Sequence, residues 1–381
     1  MPDEKPIQLF VPTFDVEACL REVRDSLERG WTGMGDKTVA FEAVWSAYTG
    51  RAHVHFLNSA TAGLHLAVRL LAEKHGWVAG DEVITTPITF VSTNHAILYE
   101  RLAPVFADVD ASGCLDPASV AAMIGPATKA VMFVGLGGNI GRLAEIAGIC
   151  RDRQLQLIVD AAHMAGTRLR DGSDPTFAAA AVVYSFQAVK NLPTGDAGAV
   201  SFLDPALDLR ARKLSWLGIS KDTYTRTLEQ GTYKWDYDVP DVGYKYNGNA
   251  IMAAIALAQL PHLDRDNAYR RALAERYDDL LAGVPQLALV HHNAACTSSR
   301  HLYQVRVSGR DTVMTKMNAL GVYPGVHYKT NASYAPFVRC RGADSCAHAE
   351  GFSGSVVSLP LHMRMTDDDV VRVASALAAA L

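Results

Sequence analysis

The stretch VHFLNSATAGLHLAVRLLAEKHG (residues 54–76) joins two periodicities and decides the fold class. The apolar run VHFLN predicts a buried strand, and Leu64, Val68 and Leu71 recur at the spacing of a helix face. Further apolar runs alternate with helical patterns along the next part of the chain: DEVITTPI, PVFADV, KAVMFVG, LQLIVD, AAAAVVYSF and AGAVSFL. Strands separated by helices predict an α/β domain with a large, mainly parallel or mixed sheet that is covered on both faces.

A second, smaller unit follows this alternation. A helical segment interrupted by Pro261 leads to the strand patterns HLYQVRVS, VYPGVHY and VVSLPL, which are separated by helical patterns. Thr366 is a candidate cap of the last helix, because three aspartates follow it and complement a helix N-terminus. We therefore expect a large domain with an extended N-terminal arm over residues 1–255, and a small α/β domain with its linking helix over residues 256–381.

The composition limits the possible partners. The 381 residues carry a formal net charge of -4, and the Lys and Arg residues are scattered, so no electrostatic footprint for nucleic acid or an anionic membrane is present. No apolar stretch approaches the length of a membrane span, and the N-terminus lacks the pattern of a secretion signal. Six cysteines without paired spacing favour reduced thiols. These features predict a cytoplasmic protein with no nucleic-acid or membrane partner.

Two polar residues follow predicted strands at positions where chemistry is expected. Asp160 ends the run LQLIVD, with His163 three positions later, and Lys190 follows the run AAAAVVYSF within SFQAVKN. Ligands bind at the carboxyl ends of parallel strands, and a buried lysine amine loses its proton more readily and can attack an aldehyde. The pair fits pyridoxal 5'-phosphate (PLP), which needs a lysine for a Schiff base and a carboxylate at its ring nitrogen. A charge at an ordinary strand end is the alternative for either residue alone.

A phosphate group would bind to N–H groups at a helix start that has hydroxyls nearby. Ser59 and Thr61 stand where a predicted strand ends and a helix begins, and Ser185 is a further candidate hydroxyl. Phe90 lies just past another predicted strand end and is a candidate to stack on a flat ring. An ordinary helix cap is the alternative for Ser59, and a core position is the alternative for Phe90.

These residues occur within a set of motifs found together in one family. NSATAGLHLA, TPITFVST, VDAAHMAG, SFQAVKN and GYKYN, in this order, resemble the DegT/DnrJ/EryC1/StrS sugar aminotransferases, which are PLP enzymes of fold type I, from about residue 10 to the C-terminus. The resemblance implies that Lys190 forms the Schiff base, that Asp160 pairs with the ring nitrogen, and that His163 packs against or hydrogen-bonds to the ring. The other cofactor contacts that it implies are Ala60, Thr61 and Ser185 at the phosphate and Phe90 stacked on the ring.

The same resemblance implies a homodimer with shared active sites. The loop VGYKYNGN would reach into the neighbouring subunit, and Lys245 stands where many relatives have asparagine, with Asn247 close by; either residue is a candidate contact of the partner's phosphate. The segment GVHYKTNASY resembles a substrate-side motif, in which Ala332 replaces a second histidine. Candidate substrate residues are Trp216, which replaces a common histidine, and His327, Tyr328 and Asn331.

The resemblance also implies the reaction. Related dehydratases have histidine in place of Lys190, so this chain is expected to transaminate, with the released lysine moving the α-proton. L-Glutamate would be the amino donor, and the acceptor would be the C4 ketone of a dTDP- or UDP-linked 4-keto-6-deoxyhexose. A 3-ketosugar and a cyclitol ketone are the alternative acceptors.

Other motifs support weaker interpretations. KAVMFVGLGGNIG resembles a dinucleotide-binding turn of an NAD-linked oxidoreductase, but Ile140 stands where the third glycine is required, and at least three strands precede it. Cys340, Cys346 and His348 lack a second ligand pair, so no metal site is expected. A PLP-fold regulator without turnover is a further alternative, and the retained lysine, aspartate and hydroxyls argue against it.

Overall fold

The computed structural model describes residues 5–220 and 237–381, in which strands alternate with helices. The strands are His53–Leu57 (β1), Glu82–Thr85 (β2), Ala103–Phe106 (β3), Thr128–Val134 (β4), Gln156–Asp160 (β5), Arg168–Leu169 (β6), Ala181–Ser185 (β7), Gly198–Phe202 (β8), Leu287–Leu289 (β9), Cys296–Thr297 (β10), Tyr303–Val307 (β11) and Val356–Leu359 (β12). The α-helices are Val16–Glu28 (α1), Asp36–Thr49 (α2), Ala60–His75 (α3), Val91–Tyr99 (α4), Pro117–Met123 (α5), Leu143–Asp152 (α6), Pro205–Ser215 (α7), Ala250–Gln259 (α8), Leu263–Leu281 (α9), Arg310–Ala319 (α10), Ala347–Ser355 (α11) and Asp367–Ala380 (α12). No helix in these two ranges is both long and apolar enough to cross a membrane.

A seven-stranded sheet forms the centre of the larger unit. Its order is β1-β8-β7-β5-β4-β2-β3, and the pairings are parallel except those of β8, which runs antiparallel to both of its neighbours. The chain passes from β7 to β8 without a helix, whereas a crossover between parallel strands usually contains one. Strands β7 and β8 are buried along their full length. The prediction of a large, mainly parallel, mixed sheet is confirmed.

The parallel direction of these strands gathers polar residues at one edge of the sheet. β1 ends just before Ser59, β5 ends in Asp160, and β7 ends in Ser185, a few residues before Lys190. The carboxyl ends of parallel strands lie on the same side of a sheet. The edge that the sequence indicates as the site is therefore also the edge where these residues meet.

A second hydrophobic core lies in the C-terminal part of the chain. It is built on the antiparallel sheet β12-β11-β9 and on residues of α9, α10 and α12, and Ile7 of the N-terminal arm packs into it. α8 packs against α1 and α2 of the larger unit, whereas α9 contributes to the second core from Leu273 onward. The division at residue 255 stays a prediction.

Two local predictions are confirmed in this part of the chain, and one is wrong. Thr366 caps α12, where its hydroxyl accepts the N–H of Asp369 at 3.3 Å, and Pro261 lies in a short 3-10 turn between α8 and α9. The pattern VYPGVHY forms no strand and makes only single bridges, such as Gly325 with Ser358. Pro324 lacks the N–H that a continuous ladder needs at this point.

Candidate active site

A cavity of about 420 Å³ at the carboxyl edge of the large sheet collects most of the predicted site residues. The predicted residues that line it are Ser59, Ala60, Thr61, Phe90, Asp160, His163, Ser185, Lys190, His327 and Tyr328. Other residues of its lining, which the sequence patterns do not assign a role, include Phe10, Thr89, Ser92, Gln187, Asp196 and His301. Phe90 is 59% exposed, so the cavity is open to the surface on that side.

Lys190 ends a tight turn that follows β7. Its backbone N–H donates to the Gln187 carbonyl at 2.8 Å, and Gln187 Oε1 accepts the N–H of Val189 at 3.0 Å. Gln187 therefore shapes the turn that presents the lysine. Burial lowers the pKa of Lys190 to about 8, and the Asp160 carboxylate acts in the opposite direction. A useful fraction of the amine is then neutral near physiological pH, which is the nucleophilic form.

Asp160 is a buried carboxylate with two fixed donors. Its Oδ2 accepts the hydroxyl of Thr93 at 2.8 Å, and its Oδ1 accepts the N–H of Ala162 at 3.1 Å. Burial raises the pKa of Asp160, and the Thr93 hydroxyl, the Ala162 amide and Lys190 oppose this rise. Thr93 is a residue that the sequence does not reveal, because its contact with Asp160 joins two positions that are 67 residues apart.

His163 is a neutral imidazole with both ring nitrogens engaged. The Gly137 N–H donates to its Nδ1 at 3.1 Å, so the ring proton lies on Nε2, which is 3.2 Å from the Tyr328 hydroxyl oxygen. Burial lowers the pKa of His163 well below its usual range, and Lys190 and His327 act in the same direction. His163 is predicted either to pack against a cofactor ring or to hydrogen-bond to it. Packing would leave both of its present hydrogen bonds intact, whereas a hydrogen bond to the cofactor would have to replace one of them.

His301 is a second neutral histidine of the lining. Asn191 Nδ2 donates to Asn267 Oδ1 at 2.6 Å, which leaves Asn191 Oδ1 to accept the proton of His301 Nδ1 at 2.8 Å. His301 Nε2 is therefore an acceptor. Burial lowers the pKa of His301 well below its usual range, and it lowers that of His327 to about 4. The residue after Lys190 thus sets the tautomer of His301, a link that only the folded chain reveals.

The N-terminus of α3 lines the cavity with three of the predicted phosphate contacts, which are Ser59, Ala60 and Thr61. Ser59 caps this helix by accepting the N–H of Ala62 at 3.1 Å, and no acidic residue lies in its first turn. The helix start lies close to β8, where a Cβ on Gly198 would be 2.4 Å from Ala60 N. A helix N-terminus with Ser59, Thr61 and Ser185 hydroxyls in one cavity suits an anionic group.

Four predicted residues do not line this cavity. Lys245 lies on the surface, with its ammonium nitrogen 3.2 Å from the centre of the Trp216 ring. Asn247 Nδ2 donates to the Gly248 carbonyl, while its Oδ1 is buried without a hydrogen-bond partner in the part of the chain that the structure describes. Asn331 is fully buried and donates from Nδ2 to the Thr89 carbonyl at 2.8 Å. None of these four residues lines the cavity that contains Lys190 of their own chain, and Asn331 reaches it only through its bond to the lining residue Thr89.

The weaker interpretations concern the glycine-rich turn after β4 and the group Cys340, Cys346 and His348. In the glycine-rich turn after β4, a Cβ on Gly138 would lie 2.2 Å from Ser299 Oγ, so the turn packs directly against protein. Cys346 is buried, whereas the His348 side chain is 82% exposed. Across residues 5–220 and 237–381, no group of three or more His, Cys, Asp or Glu side chains is placed to hold a metal ion.

The chain resembles known aminotransferases over nearly its whole length. Residues 14–378 match the DegT/DnrJ/EryC1/StrS aminotransferase family. The spore coat polysaccharide biosynthesis protein SpsC of Bacillus subtilis (strain 168) is 32% identical over 369 residues, which cover 94% of this chain and 93% of SpsC. The structure of the aminotransferase TlmJ from Streptoalloteichus hindustanus has a TM-score of 0.90 at 34% identity and covers 98% of both chains. The PLP form of Spr1654 from Streptococcus pneumoniae has a TM-score of 0.89 at 26% identity, with 98% of both chains covered.

The cavity fits PLP, which is the cofactor of this class of enzyme. Lys190 offers an amine that burial brings toward its neutral form. Asp160 offers a carboxylate that can accept a hydrogen bond from a protonated ring nitrogen. The N-terminus of α3 offers N–H groups and hydroxyls to a phosphate. The close approach of α3 to Gly198 keeps this end of the cavity in place.

Proposed function

This chain belongs to the DegT/DnrJ/EryC1/StrS aminotransferase family and is a PLP-dependent transaminase, and from that premise we propose that it transfers the amino group of L-glutamate to a nucleotide-linked ketosugar. The acceptor that we propose is the C4 ketone of a dTDP- or UDP-linked 4-keto-6-deoxyhexose. The observation that carries the proposal is the combination of Lys190, Asp160 and the N-terminus of α3 in one cavity. The family match removes the NAD-linked oxidoreductase as an alternative.

Lys190 has two roles in this proposal. When bound, PLP supplies an aldehyde that carries the amino group and a ring that draws electrons from the reacting carbon. Lys190 holds the cofactor between turnovers, and its released amine moves a proton to and from the α-carbon. A pKa of about 8 suits both tasks, because the amine can exist in either protonation state near neutral pH.

A second set of lining residues holds the cofactor in this proposal. Asp160 accepts a hydrogen bond from the protonated ring nitrogen, and His163 packs on the ring with Phe90 on the open side of the cavity. Phosphate oxygens are bound at the start of α3 by the set Ser59, Ala60, Thr61 and Ser185. These roles are the ones that the resemblance to the family implies, and the presence of the residues in one cavity supports them.

The neutral groups of the small unit support a sugar as the acceptor. His327, His301 and Tyr328 line the cavity, and burial keeps both imidazoles uncharged. Neutral donors and acceptors suit the hydroxyl groups of a sugar, whereas a carboxylate prefers a cation. SpsC, with which the chain shares 32% identity, is named for polysaccharide biosynthesis, which agrees with this choice.

We propose a homodimer with shared sites as the working form. Val16, Leu20 and Leu27 share one face of α1, and each is more than half exposed, which is typical of a surface that another chain covers. Lys245 and Asn247 lie outside the cavity of their own chain, so each is a candidate contact of the site of a second copy, Lys245 from the surface and Asn247 from a partly buried position. A contact by Lys245 would bring a cation to the cofactor phosphate or to a carboxylate of the donor, whereas Asn247 would bring a neutral amide.

The cytoplasm is the compartment that we propose. All six cysteines are free thiols, and five of them are buried. Unpaired cysteines in a chain of this length suit a reducing compartment.

A panel of nucleotide-linked ketosugars tests the proposed reaction. The purified holoprotein is incubated with L-glutamate and each acceptor, and product mass is recorded. We expect amination of a 4-keto-6-deoxyhexose; amination of a 3-ketosugar or cyclitol ketone alone would contradict the acceptor. Loss of the visible absorbance with glutamate alone shows the donor half-reaction and excludes a regulator without turnover. Borohydride reduction followed by peptide mapping should label Lys190, and a label elsewhere would contradict its role.

A further inference from the structure

We propose that Thr93 is a positioning residue, which fixes Asp160 as the acceptor of the cofactor ring nitrogen, and that Thr89 and Asn331 hold Thr93 in place. The inference rests on the role proposed above for Asp160. Thr93 is fully buried, Asp160 is 4% exposed, and their hydroxyl and carboxylate oxygens are 2.8 Å apart. A hydrogen bond to a buried carboxylate is stronger than one between neutral groups.

The hydrogen bonds that link Thr89, Thr93 and Asp160 all run in one direction. Thr93 has a single hydroxyl proton, and an ionised Asp160 can only accept, so this proton lies between the two. The 2.8 Å contact between Thr89 Oγ1 and Thr93 Oγ1 must then be donated by Thr89. Both hydroxyl protons therefore point toward the carboxylate, which stabilises its ionised form.

Asn331 holds the end of this hydrogen-bond series that lies away from Asp160. Its Nδ2 donates to the Thr89 carbonyl at 2.8 Å, and its Oδ1 accepts from Asn94 Nδ2 at 3.1 Å. Asn94 Oδ1 accepts the hydroxyl of Thr85 at 2.8 Å, which fixes the orientation of both amides. Asn331 follows His327 by four positions, so the segment that brings substrate-side residues to the cavity is tied to the carboxylate at the cofactor ring.

Within residues 5–220 and 237–381, Thr93 is the only side chain that donates a hydrogen bond to Asp160. The titratable groups that share the cavity with Asp160 are Lys190, His163, Asp196, His301, His327 and Tyr328, and of these only Lys190 acts on the pKa of Asp160. Lys190 lowers the pKa of Asp160 as a charge, His163 is neutral and donates toward Tyr328, and burial raises the pKa of Tyr328 so that it keeps its proton. Without the Thr93 hydroxyl, the rise of the Asp160 pKa that burial causes would be larger.

Cofactor binding to the apoprotein tests this inference. The PLP dissociation constant of wild type, Thr93→Val and Thr93→Ser is measured by titration across a range of pH. Thr49→Val is the matched control, because Thr49 is a buried threonine that donates to the Trp45 carbonyl at 2.8 Å, away from the cavity. We expect Thr93→Val to weaken PLP binding by roughly tenfold or more, Thr93→Ser to retain most of the affinity, and the control to match wild type. The loss of affinity on acidification should begin at a higher pH in Thr93→Val, since its Asp160 gains a proton sooner.

Two outcomes separate this inference from the proposed function. If Asp160→Asn weakens PLP binding but Thr93→Val binds like wild type with the same pH dependence, the role of Thr93 is overturned and that of Asp160 stands. If Asp160→Asn itself leaves affinity and absorbance unchanged, the proposed role of Asp160 fails together with this inference. Thermal melting of each apoprotein shows whether it folds. Should Thr93→Val not fold, Thr89→Val tests the preceding link, and an unchanged PLP affinity in that variant overturns the inference.

Discussion

Tyr328 presents a hydroxyl proton to the cavity because of the order of its hydrogen bonds. The Gly137 amide fixes the proton of His163 on Nε2, and this N–H donates to the Tyr328 oxygen at 3.2 Å. The proton of Tyr328 is then free to donate to a substrate oxygen. We expect Tyr328→Phe to lower kcat/KM for the ketone acceptor by about tenfold, with PLP affinity close to wild type. Tyr323→Phe, at an exposed position outside the lining, is the control. An unchanged acceptor half-reaction in Tyr328→Phe would contradict the assigned donor.

The pKa of Lys190 leads to a prediction about pH. The ammonium form does not attack an aldehyde, so the rate at which apoprotein captures PLP should rise with pH and reach half its plateau near pH 8. Asp160 favours the ammonium form of Lys190, and Asp160→Asn should therefore move this midpoint to lower pH. Stopped-flow absorbance measures the capture, with a small-molecule lysine analogue as the reference for a solvated amine. If the midpoint of PLP capture by the protein matches that of the lysine analogue, at a pH of about 10, the effect of burial is refuted.

The start of α3 depends on the absence of a side chain at Gly198. A Cβ there would lie 2.4 Å from Ala60 N and 2.5 Å from the carbonyl carbon of Ser59, and both contacts are with backbone that cannot rotate away. We expect Gly198→Ala to shift the helix start, to weaken PLP binding by at least about tenfold, and to lower Tm, because overpacking of a core costs about 1–3 kcal/mol. Gly148→Ala in α6 is the control, since its Cβ would come no closer than 3.8 Å to Arg151. That control should bind PLP normally and melt no lower than wild type; equal PLP affinity and Tm in both variants would argue against a tight cradle.

The parts of the site that follow from strands and helices could be predicted from local patterns, and the rest could not. Asp160 and Lys190 follow runs whose apolar periodicity identifies strands, so their common edge is a consequence of parallel pairing. His301 and Asn331 have no such signal, because their positions depend on contacts with Asn191 and Thr89 far along the chain. Tertiary contacts decide these two positions, and one sequence does not record them. The strand expected over VYPGVHY failed for a local reason, because Pro324 lacks the N–H that a continuous ladder needs and the apolar pattern does not take this into account.

At the scale of the whole molecule, a shared site predicts that inactive variants can restore each other. Lys190→Ala removes the reacting amine, and Lys245→Glu reverses the charge of a residue that lies outside the cavity of its own chain. If Lys245 serves the site of a second copy, a mixed dimer contains one site with both residues intact. Random exchange of subunits in an equal mixture should then recover about a quarter of wild-type activity, since half of the dimers are mixed and each has one complete site of two. Activity after co-refolding or co-expression, set against the separate proteins, is the measurement.

The control for this experiment is the pair Lys190→Ala and Asp160→Asn. Both residues line the same cavity of one chain, so their mixed dimer has no complete site and should recover no activity. Asn247→Ala, mixed with Lys190→Ala in parallel, distinguishes which loop residue reaches the partner, because each loop variant changes one candidate contact and leaves the other intact. A monomer in sedimentation analysis, or mixed dimers that form without recovered activity for either loop variant, would reject the shared site. Recovery with only one loop variant assigns the contact to that residue, because subunit exchange is the same in both mixtures.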